Sequence, residues 1–259
     1  MHRFFLPPTQ TPNPSPALTG REAHHAVQVL RLQKGQMLTL LDGAGGTRIC
    51  EVQNCTRGSV RLLVKEEKKL PPPPCRITLL QALPKGKIFE DIIQKATELG
   101  VHRIVPILSE RVTTRLDEEN AAVKTAKWRM VAIEAIKQCG AAWLPEICEP
   151  QTPARFLARN ETFDLPLIAS LHPGSRPARE YFDAFRHRHL RQPASIGVWI
   201  GPEGDLSPAE VQSILSGGAL PITLGPLVLR VETAAIYCMS IANHELLVDT
   251  QGSTAEAFT

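Results

Sequence analysis

No stretch of the sequence approaches the roughly 18 consecutive apolar residues of a membrane span. The opening Met1-His2-Arg3-Phe4-Phe5-Leu6-Pro7-Pro8 meets proline before an apolar run of signal-peptide length develops. A soluble, cytoplasmic protein without a membrane partner is therefore expected. Cysteine is sparse: six residues (50, 55, 75, 139, 148, 238), none in a C-x-x-C pair, and no His or Cys pair follows Cys50 and Cys55 at zinc-finger spacing. This argues against a metal and for reduced thiols buried as small apolar groups. The common nucleotide and hydrolase fingerprints are missing too. No G-x-G-x-x-G opens a helix after a strand, and G-x-x-x-x-G-K-[ST], G-x-S-x-G and H-E-x-x-H do not occur. Gly43-Ala44-Gly45-Gly46 follows Asp42 inside a β-rich stretch, where hairpin geometry accounts for it.

What is present is ordinary globular composition: 259 residues, 43% hydrophobic and 21% charged, enough for one or two domains with a real core. Charge is unevenly spread. Ten Lys/Arg stand against five Asp/Glu before Pro71-Pro72-Pro73-Pro74, and 19 against 21 after it. A basic first part beside a near-neutral remainder suits a polyanion, although such a surplus also occurs on surfaces that bind nothing.

Four consecutive prolines fit neither a helix nor a central strand and read as a stiff, extended spacer. Upstream, strand-like segments 37–41, 48–52 and 60–65 alternate with Asp42-Gly43 and Arg57-Gly58 turns, and 21–32 forms one amphipathic helical patch. A small β-barrel or sandwich module follows. Downstream, apolar runs 77–83, 101–108, 165–171, 195–200 and 219–224 alternate with helical patterns at 88–99, 118–139 and 232–248. Ser207-Pro208-Ala209-Glu210 has the form of a capping box with proline at the first helical position. Strand–helix alternation predicts a mainly parallel sheet covered on both faces.

Three segments carry chemistry. Ile200-Gly201-Pro202-Glu203-Gly204-Asp205 directly follows a strand, where glycines let backbone groups approach a ligand; the plain alternative is a strand-to-helix turn. Leu224-Gly225-Pro226-Leu227-Val228-Leu229-Arg230-Val231-Glu232-Thr233 repeats that strand–turn–helix form. Arg230 is the last Lys/Arg of the chain and suits a phosphate or developing oxyanion, or alternatively an ion pair with Glu232 or Glu203. Pro84-Lys85-Gly86-Lys87, with Lys95 on the following helix, reads as an RNA-phosphate surface or as a solvated helix start. His24 and His25, beside Glu22, could contact phosphate or cap the helical patch.

The segments QALPKGKIFEDIIQKATELGV, IVPILSERV, IGPEGDLSPAEV and LGPLVLRVETAA occur in that order, after HRFFL, REAHHAVQVLRLQKGQ and LLDGAGG. Together they closely resemble the RsmE family of 16S rRNA (uracil-N3)-methyltransferases, of the S-adenosylmethionine-dependent SPOUT class, over roughly residues 3–245. The resemblance implies an α/β chain with an N-terminal PUA-like β-barrel (1–74, with the Pro-rich linker) that grips RNA. It further implies a C-terminal SPOUT α/β methyltransferase domain (75–248) with a trefoil knot, a flexible tail (249–259), and a homodimer with each cofactor pocket near the subunit interface. The implied S-adenosylmethionine site comprises Leu171 and His172; Ile200, Gly201, Pro202, Glu203 and Gly204; and Leu224, Gly225, Leu229, Arg230 and Thr233. The implied substrate is one uridine of 16S rRNA in the 30S subunit. Arg230 is the candidate for steadying the uracil anion, and Glu203 and Glu232 are candidate bases beside bulk water. Arg3, Arg21, His25, Arg31 and Lys34 in the basic module, with Lys85, Lys87 and Lys95, are the candidate RNA contacts; no metal is implied. Two further readings remain: a related knotted enzyme acting on tRNA or a ribose hydroxyl, and a non-catalytic RNA-binding assembly factor. The chain departs from the family pattern at Asp205 (usually Gly), Val231 (usually Thr), Lys137 (usually an acid) and Ala141 (usually Arg).

Overall fold

The computed structural model describes residues 1–10, 15–112, 118–171 and 174–247. The expected tail, 249–259, lies outside the described residues. The chain divides into two compact units: Met1–Pro72 with Ala132–Leu144, and Pro73–Val131 with Pro145–Thr259.

In the first unit, β1 (His2–Phe5), β2 (Ala17–Thr19), β3 (Met37–Leu41), β4 (Gly46–Cys55) and β5 (Ser59–Lys69) form a curled sheet in the order β1-β3-β4-β5-β2. Only β1, beside β3, pairs in parallel. Period-2 alternation turns Leu38, Leu40, Cys50, Val52, Val60 and Leu62 inward onto Phe4, Leu18, Ala23 and Ala26. Burying each such large side chain contributes on the order of 2 kcal/mol. The glycine-rich segment is a hairpin, as its sequence suggests: Asp42 Oδ1 accepts the N–H groups of Ala44 (2.7 Å) and Gly46 (2.8 Å). The helical patch at 21–32 is not one regular helix. It is α1 (Gly20–His24) followed by a π-helical turn, His25–Val29, and Arg31 then takes φ +52°. The looser turn keeps Ala23 and Ala26 both inward, and the left-handed residue returns Leu32 to the core.

The second unit follows the order β6 (Arg76–Ala82), α2 (Ile88–Glu98), β7 (Arg103–Ile107), α3 (Glu118–Cys139), β8 (Glu146–Ile147), α4 (Pro153–Leu157), β9 (Leu165–Ala169), β10 (Arg176–Pro177), α5 (Ala178–His189), β11 (Ser195–Ile200), α6 (Pro208–Ser216), β12 (Leu220–Thr223) and α7 (Val231–Leu247). From Ala132 onward α3 counts with the first unit. The seven strands form one sheet, β10-β12-β9-β11-β6-β7-β8, parallel at every pairing. Central β6 is buried from Ile77 to Ala82, as a strand covered on both faces must be. The capping box forms as read: Ser207 Oγ accepts Glu210 N–H, and Glu210 Oε2 accepts Ser207 N–H. No helix among the described residues is long and apolar enough to cross a membrane.

All six cysteines are free. Burial pushes the thiols of Cys75 and Cys238 up to about 12 and those of Cys50 and Cys148 up to about 11, so these four are poor nucleophiles.

Candidate active site

Parallel strands aim their carboxyl ends at one edge of a sheet, and the loops leaving them can share a ligand. Here the ends of β9, β11 and β12 enclose a cavity of about 430 Å³, a size suited to a nucleoside-like small molecule. Leu171 follows β9; Ile200, Gly201, Pro202 and Glu203 end β11 and turn away from it; Leu224, Gly225, Leu229 and Arg230 follow β12. Glu232, in the first turn of α7, completes the wall. The structure therefore brings together ten of the residues singled out from the sequence. Gly204 and Thr233 are not part of the lining, and His172 lies outside the described residues.

The walls are largely apolar, from Leu171, Ile200, Leu224, Leu229 and Val231, while Glu203, Asp205 and Glu232 supply three carboxylates against the one cation of Arg230. That balance suits a ligand with an apolar body and a positive centre. Two glycines shape the approach. Gly225 has φ +105°, with open space where a side chain would begin. A Cβ on Gly201 would lie 2.9 Å from Asp205 Oδ1 and 3.2 Å from Leu206 N, so a side chain there must push the Asp205 carboxylate aside and crowd the Leu206 N–H.

The turn after β11 is closed by the Asp205 N–H donating to Pro202 O (2.9 Å), with Asp205 itself at φ +60°. Neighbouring loops hold it from outside. Lys85 N–H donates to Glu203 Oε1 (2.9 Å), tying the loop after β6 to the cavity wall and setting Lys85 and Lys87, both exposed, beside it. Arg111 Nη1 donates to Gly204 O (2.7 Å). Arg230 is exposed and makes no ion pair among the described residues, so the arrangement in which it neutralises Glu203 or Glu232 is not the one adopted.

Lining residues outside the chemistry-bearing loops, such as Ile88 and Ala169, were not singled out in the sequence, because hydrophobic side chains beside a ligand and in a core look alike in a string. Lys95 is exposed on α2. In the first unit, Arg31 and Lys34 are exposed. The other candidate contacts there are engaged within the unit: Arg3 donates to Lys137 O and Gln138 O, Arg21 pairs with Glu134 at 3.3 Å, and the His25 ring packs 5.9 Å from that of Phe4. Among the described residues there is no group of three His, Cys, Asp or Glu that could hold a metal ion.

The profile of an RNA methyltransferase domain matches residues 71–243, and that of an RNA methyltransferase PUA domain matches residues 18–65. The chain is 31% identical over 252 residues to the ribosomal RNA small subunit methyltransferase E of Bacillus subtilis, covering 95% of this chain and 97% of that relative. It is 32% identical to the protein of the same name from Synechocystis, covering 93% and 77%. Among solved structures, a Legionella pneumophila protein described as a methyltransferase, with bound SAM, superposes with TM-score 0.83 at 32% identity, covering 93% of this chain and 96% of that one. The ribosomal RNA small subunit methyltransferase E of Neisseria gonorrhoeae, bound to S-adenosyl methionine, gives TM-score 0.81 at 26% identity, covering 94% and 97%.

Proposed function

Because the chain belongs to the ribosomal RNA small subunit methyltransferase E family, we propose that it methylates N3 of one uridine of 16S rRNA, using S-adenosylmethionine held in the cavity at the ends of β9, β11 and β12. The observation that carries this reading is that cavity: two glycine-bounded loops, three carboxylates and one arginine that makes no ion pair among the described residues, at adjacent strand ends. The preferred substrate form is the 30S particle, and the working form is a homodimer whose chain end is knotted, as the family resemblance implies.

The residues present fit the cofactor. Gly201, Pro202, Leu224 and Gly225 offer peptide groups to a purine edge, the apolar walls take the ribose and ring faces, and Glu203, Asp205 and Glu232 favour a cationic centre. When bound, S-adenosylmethionine supplies an electrophilic methyl group on a sulfonium. The protein must hold the pyrimidine in line with that group and keep water out. N3 of uracil is a poor nucleophile while it carries its proton and is paired, so the base must leave its stack and lose that proton. The negative charge then spreads onto the two carbonyl oxygens, where the Arg230 guanidinium offers a fixed donor fork. The proton passes to Glu232, to Glu203 or to water; Glu203 already accepts Lys85 N–H through Oε1, which leaves its second oxygen for that task. Lys85, Lys87 and Lys95 face the phosphates flanking the target.

The test is methyl transfer from labelled S-adenosylmethionine to isolated 30S subunits, free 16S rRNA and tRNA, with nucleoside mass spectrometry of the product. Label recovered as 3-methyluridine from 30S subunits is the expected result. Label on tRNA or on a ribose oxygen, or no cofactor uptake at all, overturns the proposal.

A further inference from the structure

The segment Ser109-Glu110-Arg111 follows the carboxyl end of β7 and lines no part of the cavity, and neither the cofactor nor the RNA reading gives it a task. It is nonetheless tied at two points, to the head of α6 and to the turn after β11. Glu110 N–H donates to Glu210 Oε1 (2.9 Å), while Oε2 of the same carboxylate accepts Ser207 N–H (2.8 Å). Glu210 is only 8% exposed, so its two oxygens are fully employed in fixing the strand-end segment against the start of α6. From that anchored position Arg111 reaches back to Gly204 O at 2.7 Å. The contacts close a ring: turn 201–205, the head of α6, the segment 109–111, and the turn again.

We propose that Arg111 is a positioning residue for the cofactor loop, setting the Gly204–Asp205 peptide plane so that the rest of the turn presents its backbone to the ligand. The inference rests on the cavity being the S-adenosylmethionine site. A glycine on each side of Pro202-Glu203 leaves this turn little stiffness of its own, and its sole internal backbone bond, Asp205 N–H to Pro202 O, uses the other end of that same peptide. A charged donor on the carbonyl end fixes the plane from outside. Arg111 itself does not line the cavity, so its influence on the ligand passes through the loop. Being exposed, it adds little to global stability.

The experiment compares the full-length wild type with Arg111→Ala and Arg111→Lys. Cofactor affinity is read by calorimetry, 30S binding is measured across a salt series, KM and kcat are separated, and thermal midpoints are recorded. Arg111→Ala should weaken S-adenosylmethionine binding by about tenfold and raise its KM accordingly. Its kcat at saturation, 30S affinity, salt slope and midpoint should stay near wild type. Arg111→Lys, which restores one charged donor, should recover most of the affinity. Unchanged cofactor affinity in Arg111→Ala overturns the proposal, as does a lost 30S contact with a shallower salt slope, the mark of a phosphate ligand. A wild type that binds no S-adenosylmethionine is a different failure, since it removes the underlying assignment of the cavity and the inference with it.

Discussion

At the scale of single residues, Arg230 and Asp205 show two different uses of charge beside one cavity. Arg230 stands on the loop between β12 and α7, exposed and without an ion pair among the described residues, which leaves its donors for a ligand. Stabilising a developing oxyanion through such a donor is worth about 3 kcal/mol. Arg230→Ala should therefore cut turnover at saturating S-adenosylmethionine roughly a hundredfold while 30S binding persists; turnover within tenfold of wild type would dispose of the role. Asp205 stands where the family usually has glycine, and its φ of +60° explains why. The left-handed region costs an L-residue about 1–2 kcal/mol, and aspartate offsets part of that locally. Its Oδ1 accepts the Leu206 N–H at 2.7 Å, in the space that the missing Cβ of Gly201 leaves open. In urea unfolding, Asp205→Gly should match wild type within about 0.5 kcal/mol, and Asp205→Ala should be about 1 kcal/mol less stable than the glycine variant. Equal stability of the two variants would show that the left-handed backbone is not what selects the residue.

At the scale of elements, the end of α3 shows how one substitution is absorbed by its surroundings. Lys137, where the family carries an acid, has a side chain only 7% exposed, lying 2.9 Å from Glu22 and 3.2 Å from Glu134. Close by, the Arg3 guanidinium donates to Gln138 O at 2.7 Å and Lys137 O at 3.3 Å, satisfying carbonyls that a helix end leaves without partners. Gly140, at φ +87°, then stops the helix. Removing one partner of a buried pair is costlier than removing both. Lys137→Met should lower stability by about 3 kcal/mol, and the double variant Lys137→Met with Glu22→Leu should regain more than half of that loss. Additive losses in that cycle would mean the pair is not coupled. Elements like α3 and β11 were legible because their periodicity is long or their apolar run unbroken. Helix α5 was not: only Ala178, Phe182 and Phe185 are buried, its last turn is Arg186-His187-Arg188-His189, and it stops on left-handed Leu190 where glycine would have marked an end. The two-residue strands β8 and β10 carry too few side chains for any pattern.

At the scale of the whole molecule, charge was readable from the string because it adds, residue by residue, whereas neighbourhood was not. Nothing in local periodicity could order seven strands as β10-β12-β9-β11-β6-β7-β8, or group Ala132–Leu144 with the N-terminal residues, since both depend on contacts far apart in sequence. The same distinction divides the basic residues. Ten Lys/Arg precede the prolines, yet the structure commits Arg3 to helix-end carbonyls and Arg21 to Glu134, while Arg31 and Lys34 stay exposed without an ion pair among the described residues. A cation that neutralises a phosphate releases counterions, so each contributes roughly 0.7–0.9 to the slope of log affinity against log salt. Replacing Arg31 and Lys34 together by glutamine should therefore weaken 30S binding and lower that slope by about 1.5, leaving S-adenosylmethionine affinity unchanged. Arg3→Gln should instead lower the thermal midpoint, because it uncaps α3, and leave the slope where it was. The reverse outcome, a slope that follows Arg3 and ignores Arg31 and Lys34, would make Arg3 the RNA contact and assign its helix-end hydrogen bonds to the RNA-free state alone.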